Sequence, residues 1–401
     1  MQIRQLPETL INQIAAGEVI ERPAAAVKEL VENAIDAASS RIEVVIREGG
    51  ASLIAVTDDG IGMSAEELAL AVERHATSKL PDDDLVNIAS LGFRGEALPS
   101  IGAVSRLTLT SRPRPKTVND ATADAATITV DGGKKSKVSP AAHAPGTKVE
   151  IRDLFYATPA RLKFLKSPRT EAQNIRDVIE RLAMAYPDIS FRLIHDEKTV
   201  LDLPAASRLE RLQQIMGREF ADNALEINAE RACVPQENDR IIKLTGFAAL
   251  PTLNRGTSQY QFFFVNGRPV RDKLMIGAIR GAYMDFLAHD RHPMLCLFRS
   301  IPPDIVDVNV HPAKSEVRFQ DSALVRGLIV GGLKHALAEA GHRASTSVAA
   351  QTLQAFQPPA PPQQPLPWNG AYHPSIPSNR SVAEAGSYYS RGNLALHTTA
   401  N

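Results

Sequence analysis

The sequence has little cysteine, few aromatic residues and no excess of charge of either sign. Its two cysteines, Cys233 and Cys296, are far apart and form no C-x-x-C pair, which excludes a disulfide framework and favours a reducing compartment. The 45 Lys and Arg residues balance 45 Asp and Glu residues, which argues against a protein that coats polyanions over its whole surface. The chain has no run of ~20 apolar residues and no basic-then-apolar leader. We therefore expect a soluble cytosolic protein with no membrane partner.

The phosphate-binding loop G-x-x-x-x-G-K-[ST] is also absent. The segment Gly132-Gly133-Lys134-Lys135 does not match it, so a nucleotide would have to bind on another scaffold. What the chain does have is enough apolar content, 44% of 401 residues, for two or three domains with cores of their own.

Residues 28–37, KELVENAIDA, place three polar side chains on one stripe of an otherwise apolar helix. Glu29, Asn33 and Asp36 are spaced by four and three, so they project from neighbouring turns of one face. A carboxylate and a carboxamide that border a core face are unfavourable unless something pairs with them. A metal ion, a phosphate and a water would do so, although the pattern alone is more typical of a solvated face.

Residues 53–63, LIAVTDDGIGM, combine a short apolar strand with a glycine turn. Asp58 stands at the end of the strand, where its carboxylate could accept a hydrogen bond from an exocyclic amine such as that of adenine. Gly60 and Gly62 allow a sharp turn, which is also the ordinary reading of an Asp-Gly pair. Ser64 and Glu67 then predict a capping box at the start of a helix.

Residues 90–105, SLGFRGEALPSIGAVS, form a glycine-flanked loop that enters a helix. Backbone N–H groups of such a loop can surround phosphates, and the loop can act as a mobile lid. A lone glycine pair of this kind is weak evidence.

The order of these blocks resembles the GHKL ATPases, and longer strings resemble the MutL family of DNA mismatch repair proteins. The strings are NQIAAGEVIERPAAAVKELVENAIDA (12–37), RHATSK (74–79), LGFRGEAL (91–98), DLFYATPAR (153–161) and DVNVHPAKSEVRF (307–319). They cover roughly residues 1–340 in the family's order. The resemblance implies an α+β fold, in which a Bergerat-type α/β sandwich ATPase domain precedes a smaller α/β domain.

The resemblance also implies roles for residues that match the motifs, with ATP and Mg²⁺ as cofactors. Glu29 would be the general base that polarises the attacking water. Asn33 would be the Mg²⁺ ligand, since Mg²⁺ takes few protein ligands beside phosphates and waters. Asp58 would recognise the adenine amine, with Gly62 leaving room for the base. The phosphates would be surrounded by Thr77, Ser78, Lys79, Gly92, Phe93, Arg94 and Gly95, and Thr147 belongs to the last motif of the pocket.

Lys314 resembles a lysine that reaches back from the second domain to the γ-phosphate, where it would stabilise the transferring charge as a second catalytic group. A strand predicted at 306–310 would hold its loop rigidly; most lysines of this kind are simply solvated. His75 and His311 have no partner at metal-ligand spacing, so we interpret them as structural or phosphate-side polar groups.

Two basic clusters predict a DNA-binding surface. Residues 161–176 hold five cations against one anion, a balance of +4, and residues 268–280 hold four against one, a balance of +3. Such clusters are usually solvated faces, but with the family resemblance we expect contacts to DNA phosphates without sequence readout. The candidates are Arg161, Lys163, Arg268, Arg271 and Lys273.

The predicted division is an ATPase domain at 1–203, a second domain at 204–340 and a disordered Pro/Gln/Ser-rich linker at 341–401. We expect helices near 20–37, 64–76, 95–101, 171–186, 274–287 and 324–338, and a loose surface excursion within 112–146. Residues 344–401 carry eight of the 27 prolines and only three charged side chains, too little apolar content to offset their ordering entropy. In the family a dimerisation domain follows such a linker.

The resemblance implies a slow, Mg²⁺-dependent mismatch-repair ATPase in the bacterial cytosol, associated with the nucleoid. ATP would order the lid and the first residues, and two copies would then close as a clamp on DNA. Its partners would be a mismatch-recognition protein of the MutS kind and a downstream nuclease or helicase. A histidine-kinase lobe would need a phospho-accepting helix before Glu29, and a topoisomerase would need a strand-passage tyrosine domain. An ATP-binding scaffold without significant hydrolysis stays open.

Overall fold

Alternating apolar residues build the larger of two main sheets. In β1 (Arg41–Arg47), Ile42, Val44 and Ile46 are fully buried and their neighbours are not, as the two-residue period of a half-buried strand requires. The computed structural model describes residues 7–74, 76, 95–115, 124–234, 237–302, 306–307, 318–319 and 321–355.

The larger sheet has nine strands in the order β5-β4-β3-β7-β2-β1-β8-β9, with β6 beside β4. The pair β1 and β8 is parallel, and the neighbours β1–β2, β2–β7, β7–β3 and β3–β4 are antiparallel. Its other strands are β2 (Leu53–Asp58), β3 (Arg106–Arg112), β4 (Ala125–Asp131), β5 (Lys134–Lys135), β6 (Ser139–Ala141), β7 (Gly146–Arg152), β8 (Ser190–His195) and β9 (Lys198–Leu203).

Helices cover one face of this sheet. The apolar stripe of α2 (Pro23–Asp36), with Val27, Leu30 and Val31 nearly or wholly buried, shares a core with Ile175 and Ile179 of α6 (Pro168–Ala185). Pro23 starts α2 because proline fits the first turn, where its missing N–H has no partner to lose. The other helices of this part are α1 (Glu8–Val19), α3 (Ala65–Ala71), α4 (Ala97–Val104) and α5 (Pro159–Leu162).

The second sheet has five strands in the order β10-β11-β16-β13-β14, with a parallel pair β13–β16. These strands are β10 (Ala224–Val234), β11 (Glu237–Ala249), β13 (Gln261–Val265), β14 (Arg268–Val270) and β16 (Leu295–Ser300). Short pairs are formed by β12 (Asn254–Arg255) with β15 (His292–Pro293) and by β17 (Val306–Asp307) with β18 (Arg318–Phe319).

Both faces of the second sheet are covered. One core joins it to α9 (Lys273–Tyr283) and α10 (Ser322–Ala355). The other joins it to α7 (Arg208–Met216), α8 (Arg218–Asp222) and Met184 of α6. Cys296 is fully buried in this second core, as the sequence predicts, and burial raises the pKa of its thiol well above the ordinary value. No helix in the described ranges is long and apolar enough to cross a membrane.

The mixed sheets confirm the predicted α+β class, and most predicted elements are present. The capping box is formed, since Ser64 Oγ accepts from the Glu67 N–H and Glu67 accepts from the Ser64 N–H. Within 112–146, where we predicted a loose surface excursion, the strands β4, β5 and β6 extend the sheet, and the sequence analysis did not predict them. Small residues in β4 weaken the apolar alternation that would have marked a strand; residues 116–123 lie outside the described ranges.

The predicted linker begins too early. Helix α10 continues through Ala355, so the backbone of 341–355 is helical. Four alanines in 344–355 explain this, because alanine has the highest helix propensity. Residues 356–401 lie outside the described ranges, and the division at 203 and 340 stays a prediction.

A buried guanidinium joins the two parts. Arg211 of α7 is 0% exposed, and its guanidinium carbon lies 5.7 Å from the centre of the Phe191 ring. It donates hydrogen bonds of 2.7–3.5 Å to the carbonyl oxygens of Ala183, Pro187, Ile189, Leu203 and Pro204. One side chain thus ties the end of α6, the entry to β8 and the end of β9 to α7.

Replacing Arg211 by leucine should lower the free energy of unfolding by about 3–5 kcal/mol, because several buried carbonyls lose their donor. Urea unfolding followed by circular dichroism measures it. Arg218→Leu is the matched control, since that side chain is 84% exposed with an ion pair of 3.6 Å to Asp222, and should change stability by under about 0.5 kcal/mol. Equal midpoints for the two variants would contradict the role given to Arg211.

Candidate functional site

Helix α2 carries Glu29 and Asn33 at the edge of its buried stripe. Both residues are half-buried, and the Glu29 side chain is 25% exposed. Lys28 Nζ lies 3.6 Å from Glu29 Oε1 and 3.0 Å from Glu32 Oε1. The helix therefore presents a carboxylate beside a core while a cation holds it from one side.

Asp58 ends β2 as a buried carboxylate, 9% exposed. Its Oδ1 accepts from the Gly60 N–H at 2.8 Å and lies 3.2 Å from Ser39 Oγ. Ser39 Oγ is also 2.6 Å from the Ala34 carbonyl oxygen, so its single proton can be given to either acceptor. Ser39 thus connects the last turn of α2 to Asp58.

The turn after β2 is held against the end of α2. The Ile61 N–H donates to the Ala37 carbonyl at 2.9 Å. A Cβ at Gly60 would lie 2.7 Å from that carbonyl oxygen and 2.8 Å from Ser39 Oγ, so only glycine fits there. The polar face of α2 and the end of β2 are brought together by these contacts.

The pKa values of the adjacent carboxylates Asp58 and Asp59 are shifted in opposite directions. Burial raises the pKa of Asp58 above its ordinary 3.8, and the hydrogen bonds from Gly60, Ser39 and Thr147 offset only part of this. Asp59 is also penalised by burial, but hydrogen bonds from the Ser40 hydroxyl and the N–H groups of Ser40 and Arg41 outweigh it and lower its pKa. Asp59 therefore fixes the chain at the start of β1 through hydrogen bonds. Asp58 is the carboxylate whose charged form is disfavoured by burial.

A serine in β3 closes the other side of the site. Ser111, fully buried, lies 2.9 Å from Thr147 Oγ1 and 3.0 Å from the Gly146 carbonyl oxygen, and accepts from the Met63 N–H at 2.9 Å. Gly62 has φ +67°, and a Cβ there would lie 2.0 Å from the Arg112 carbonyl oxygen. The closeness of the β3 backbone thus gives Gly62 a packing reason beside its predicted role.

Many predicted lid residues fall outside the described ranges. These are Thr77, Ser78, Lys79, Gly92, Phe93 and Arg94. Lys314 of the second domain, His75 and His311 also lie outside the described ranges. Gly95 is described at φ +60°, where a Cβ would lie 2.4 Å from the Ala76 carbonyl oxygen. The two ends of this segment, Ala76 and Gly95, are therefore in contact.

The predicted DNA contacts divide by exposure. Lys163, Arg271 and Lys273 are exposed. Arg161 is half-buried with its guanidinium against Gly17 of α1, since a Cβ at Gly17 would lie 2.2 Å from its Nη2. Arg268 is 7% exposed and is placed in the interior, so the sequence count overstates the surface charge of 268–280.

Sequence reasoning missed Ser39 and Ser111, which join the elements of the site. Neither residue stands in a motif whose spacing marks it. Ser111 occupies an inward position of an alternating strand, and only the pairing of β3 with β7 brings it to Thr147.

Two family models match the chain, one in each part. Residues 20–151 match a model described as histidine kinase-, DNA gyrase B-, and HSP90-like ATPase. Residues 212–338 match one described as DNA mismatch repair protein, C-terminal domain. The nine-stranded sheet and its helices thus have the Bergerat-type fold of the GHKL ATPases.

Comparisons that cover most of the chain identify the family to which it belongs within the GHKL ATPases. A DNA mismatch repair protein MutL from Paramagnetospirillum magneticum is 63% identical over 363 residues, 89% of this chain and 57% of that protein. The chain belongs to the MutL family and spans a little over half the length of this relative. The Aquifex aeolicus MutL ATPase domain complexed with ADP is 27% identical with a TM-score of 0.53, covering 78% of this chain and 98% of that one. An N-terminal domain of a DNA repair protein shares the fold, with a TM-score of 0.69 at 24% identity over 82% of this chain and 98% of that one.

The opposite pKa shifts of Asp58 and Asp59 predict opposite pH dependences of stability. The folded state binds the Asp58 proton more tightly than the unfolded state, so wild type should lose stability relative to Asp58→Asn as pH rises from 3.8 through the raised pKa. Relative to Asp59→Asn, wild type should gain stability as pH rises from the lowered pKa to 3.8. Urea unfolding between about pH 3 and 7 measures both. Parallel curves for the two variants would contradict this electrostatic description.

Proposed function

We propose that the chain is the ATP-binding and ATP-hydrolysing region of a mismatch-repair protein. The observation that carries the proposal is the buried Asp58 carboxylate, connected through Ser39 to the helix of Glu29 and Asn33. A buried carboxylate is unfavourable without a strong donor, and a ligand amine would supply one. Membership of the MutL family and the ATPase model over 20–151 support the same function.

The residues present fit ATP and Mg²⁺. Asp58 suits the adenine amine, and the hydroxyl of Thr147 lies one residue past the start of the paired strand β7. Among the described residues no group of three or more His, Cys, Asp or Glu side chains could hold a metal, so the ion would depend on the Asn33 oxygen, phosphates and waters, as Mg²⁺ commonly does. Bound Mg²⁺ would neutralise charge that develops on the phosphates.

Within this site each residue has a separate task. Glu29, half-buried on a rigid helix, takes the proton of the attacking water as general base. Lys314 stabilises negative charge at the γ-phosphate, and the lid residues Thr77–Lys79 and Gly92–Gly95 exclude water. Hydrolysis would be slow, because its rate would set how long the nucleotide-bound conformation lasts.

The nucleotide would control self-association of two copies. Helix α1 exposes Ile11 and Ile14 to 44% and 53%, while Ala16 and Ile20 bury its other side in the core. A second copy could cover this exposed apolar face when ATP orders the segment before it. The closed pair would enclose DNA and present surfaces to a MutS-type mismatch-recognition protein and to a downstream nuclease or helicase.

DNA contacts would come from exposed cations without base readout. Lys163, Arg271 and Lys273 are suited to phosphates, and Arg161 contributes from its position against α1. Arg268, being buried, would act by supporting the turn before Arg271.

An ATP-binding scaffold without significant hydrolysis is the alternative. It would use the same Asp58 pocket and the same self-association, and differ only in turnover. A measurement of ATP turnover distinguishes the two.

Glu29→Ala should lower ATP turnover by about 100-fold or more, since a general base contributes that much. The variant should keep nucleotide affinity, and both it and wild type should shift from monomer to dimer with a non-hydrolysable ATP analogue. Steady-state phosphate release and mass in solution measure the two properties. Asp58→Asn is the control and should stay folded yet lose nucleotide binding and the shift to dimer.

Each other outcome has a distinct meaning. Turnover that survives Glu29→Ala removes Glu29 as the base. A dimer without any turnover in wild type favours the scaffold. A chain that stays monomeric in every nucleotide state contradicts the clamp.

Lys163→Gln and Lys273→Gln should each reduce the steepness of the salt dependence of DNA affinity by about 0.9 in log K against log salt, because each loses one phosphate contact. Fluorescence anisotropy of labelled duplexes at several salt concentrations measures the slope. The effect should be the same for unrelated DNA sequences. Arg218→Gln, an exposed cation outside both basic clusters, should leave the slope unchanged; an equal change there would indicate a general charge effect.

A further inference from the structure

A cavity of about 480 Å³ lies between helix α6 and the outer edge of the second sheet. Val178, Arg181 and Leu182 of α6 line one side. The other side is formed by β13 and by β14, which is the last strand of that sheet. This volume is within the usual range for a small-ligand site and far too small for a DNA duplex.

Two arginines, Arg181 and Arg271, line this cavity, and neither forms an ion pair with a carboxylate among the described residues. Half-buried Arg181 donates only to the Asp177 carbonyl oxygen, at a long 3.4 Å, and has no ion pair with another described residue. Exposed Arg271, directly after β14, makes no hydrogen bond or ion pair to a described residue. Burial lowers the pKa of Arg181, and the positive charge of Arg271 lowers it further; the charges of Asp177 and Glu180 on its own helix offset only part of this, so the two cations still repel each other.

The other two charged groups of the lining, Lys28 and Asp272, are engaged by other partners. Lys28 is engaged by Glu29 and Glu32. Asp272 caps α9, its Oδ1 accepting from the N–H groups of Leu274 at 2.7 Å and Met275 at 3.3 Å. Arg181 and Arg271 are therefore the groups with donor capacity left for a ligand.

The rest of the lining is largely apolar. It includes Val178, Leu182, Phe262, Val270 and Ile276, with the side chains of Thr257 and Gln261 at the polar side. Such walls favour a ligand whose body is apolar, since burial of that body contributes about 25 cal/mol per Å².

We propose that this cavity binds a small amphipathic organic anion, its acidic group between Arg181 and Arg271 and its apolar body against Val178, Leu182 and Phe262. The lining of the cavity contains none of Glu29, Asn33 and Asp58, and the proposal does not depend on ATP binding. A bound anion would relieve the repulsion of the two arginines and fix α6 against β14.

The test uses two fluorescent probes of similar shape, 8-anilinonaphthalene-1-sulfonate and its neutral counterpart N-phenyl-1-naphthylamine, titrated into the whole chain. The sulfonate should bind wild type with one saturable site, and the neutral probe should bind much more weakly. Arg271→Gln, at an exposed position where the fold should be kept, should weaken the binding of the sulfonate by about 3- to 10-fold. Arg181→Gln should weaken it to a similar extent. Neither variant should change the affinity for the neutral probe.

Matched variants make the result decisive. Arg218→Gln removes a remote exposed cation and should leave both probes unchanged. Ile276→Trp fills the mouth of the cavity from a side chain that is 42% exposed and should weaken both probes. Equal binding of the two probes, or sulfonate binding that is unaffected by both arginine variants, would overturn the proposal. Loss of DNA affinity with unchanged sulfonate binding would assign the arginines to the DNA surface and overturn it as well.

Discussion

The buried guanidinium of Arg211 is the interaction on which the joining of the two sheets depends. Its five carbonyl acceptors belong to the end of α6, the entry to β8 and the end of β9, while the side chain itself comes from α7. Carbonyls buried at the ends of elements need donors, and the Nη1 and Nη2 groups of one guanidinium supply them from one point. Beside it, the seam where α6 meets the second sheet is packed by an apolar cluster that joins Met184 of α6 to Leu212 of α7 and Phe264 of β13.

In the candidate ATP site, too, a few polar side chains connect several elements. Ser39 and Ser111 each serve two elements, the first joining α2 to β2 and the second joining the turn after β2 to β3 and β7. Gly60 and Gly62 are needed because neighbouring carbonyls approach to where a Cβ would stand. Asp58 remains buried in this frame with a raised pKa, which is the energetic reason to expect a ligand that donates to it.

The local sequence pattern predicted the elements that have a clear hydrophobic periodicity or a helix-capping motif. Helix α2, strand β2, the Ser64 capping box and the buried strand around Cys296 agree with the sequence because each is determined by near neighbours in the chain. Strand β4 was missed since its small residues have little apolar contrast, and its place in the sheet comes from pairing with β3. The end of α10 was misplaced because composition was read as disorder where alanine continues the helix.

By itself the sequence determined the fold class and the family, and it singled out Glu29, Asn33 and Asp58 as candidate site residues, because these follow from short spacings and from ordered motifs. Tertiary structure alone decided that Asp58 and Asp59 differ in their electrostatics, that Arg268 is buried and that Arg181 meets Arg271. Those properties depend on which groups exclude water and which charges become neighbours, and residues more than eighty positions apart are brought together only by folding.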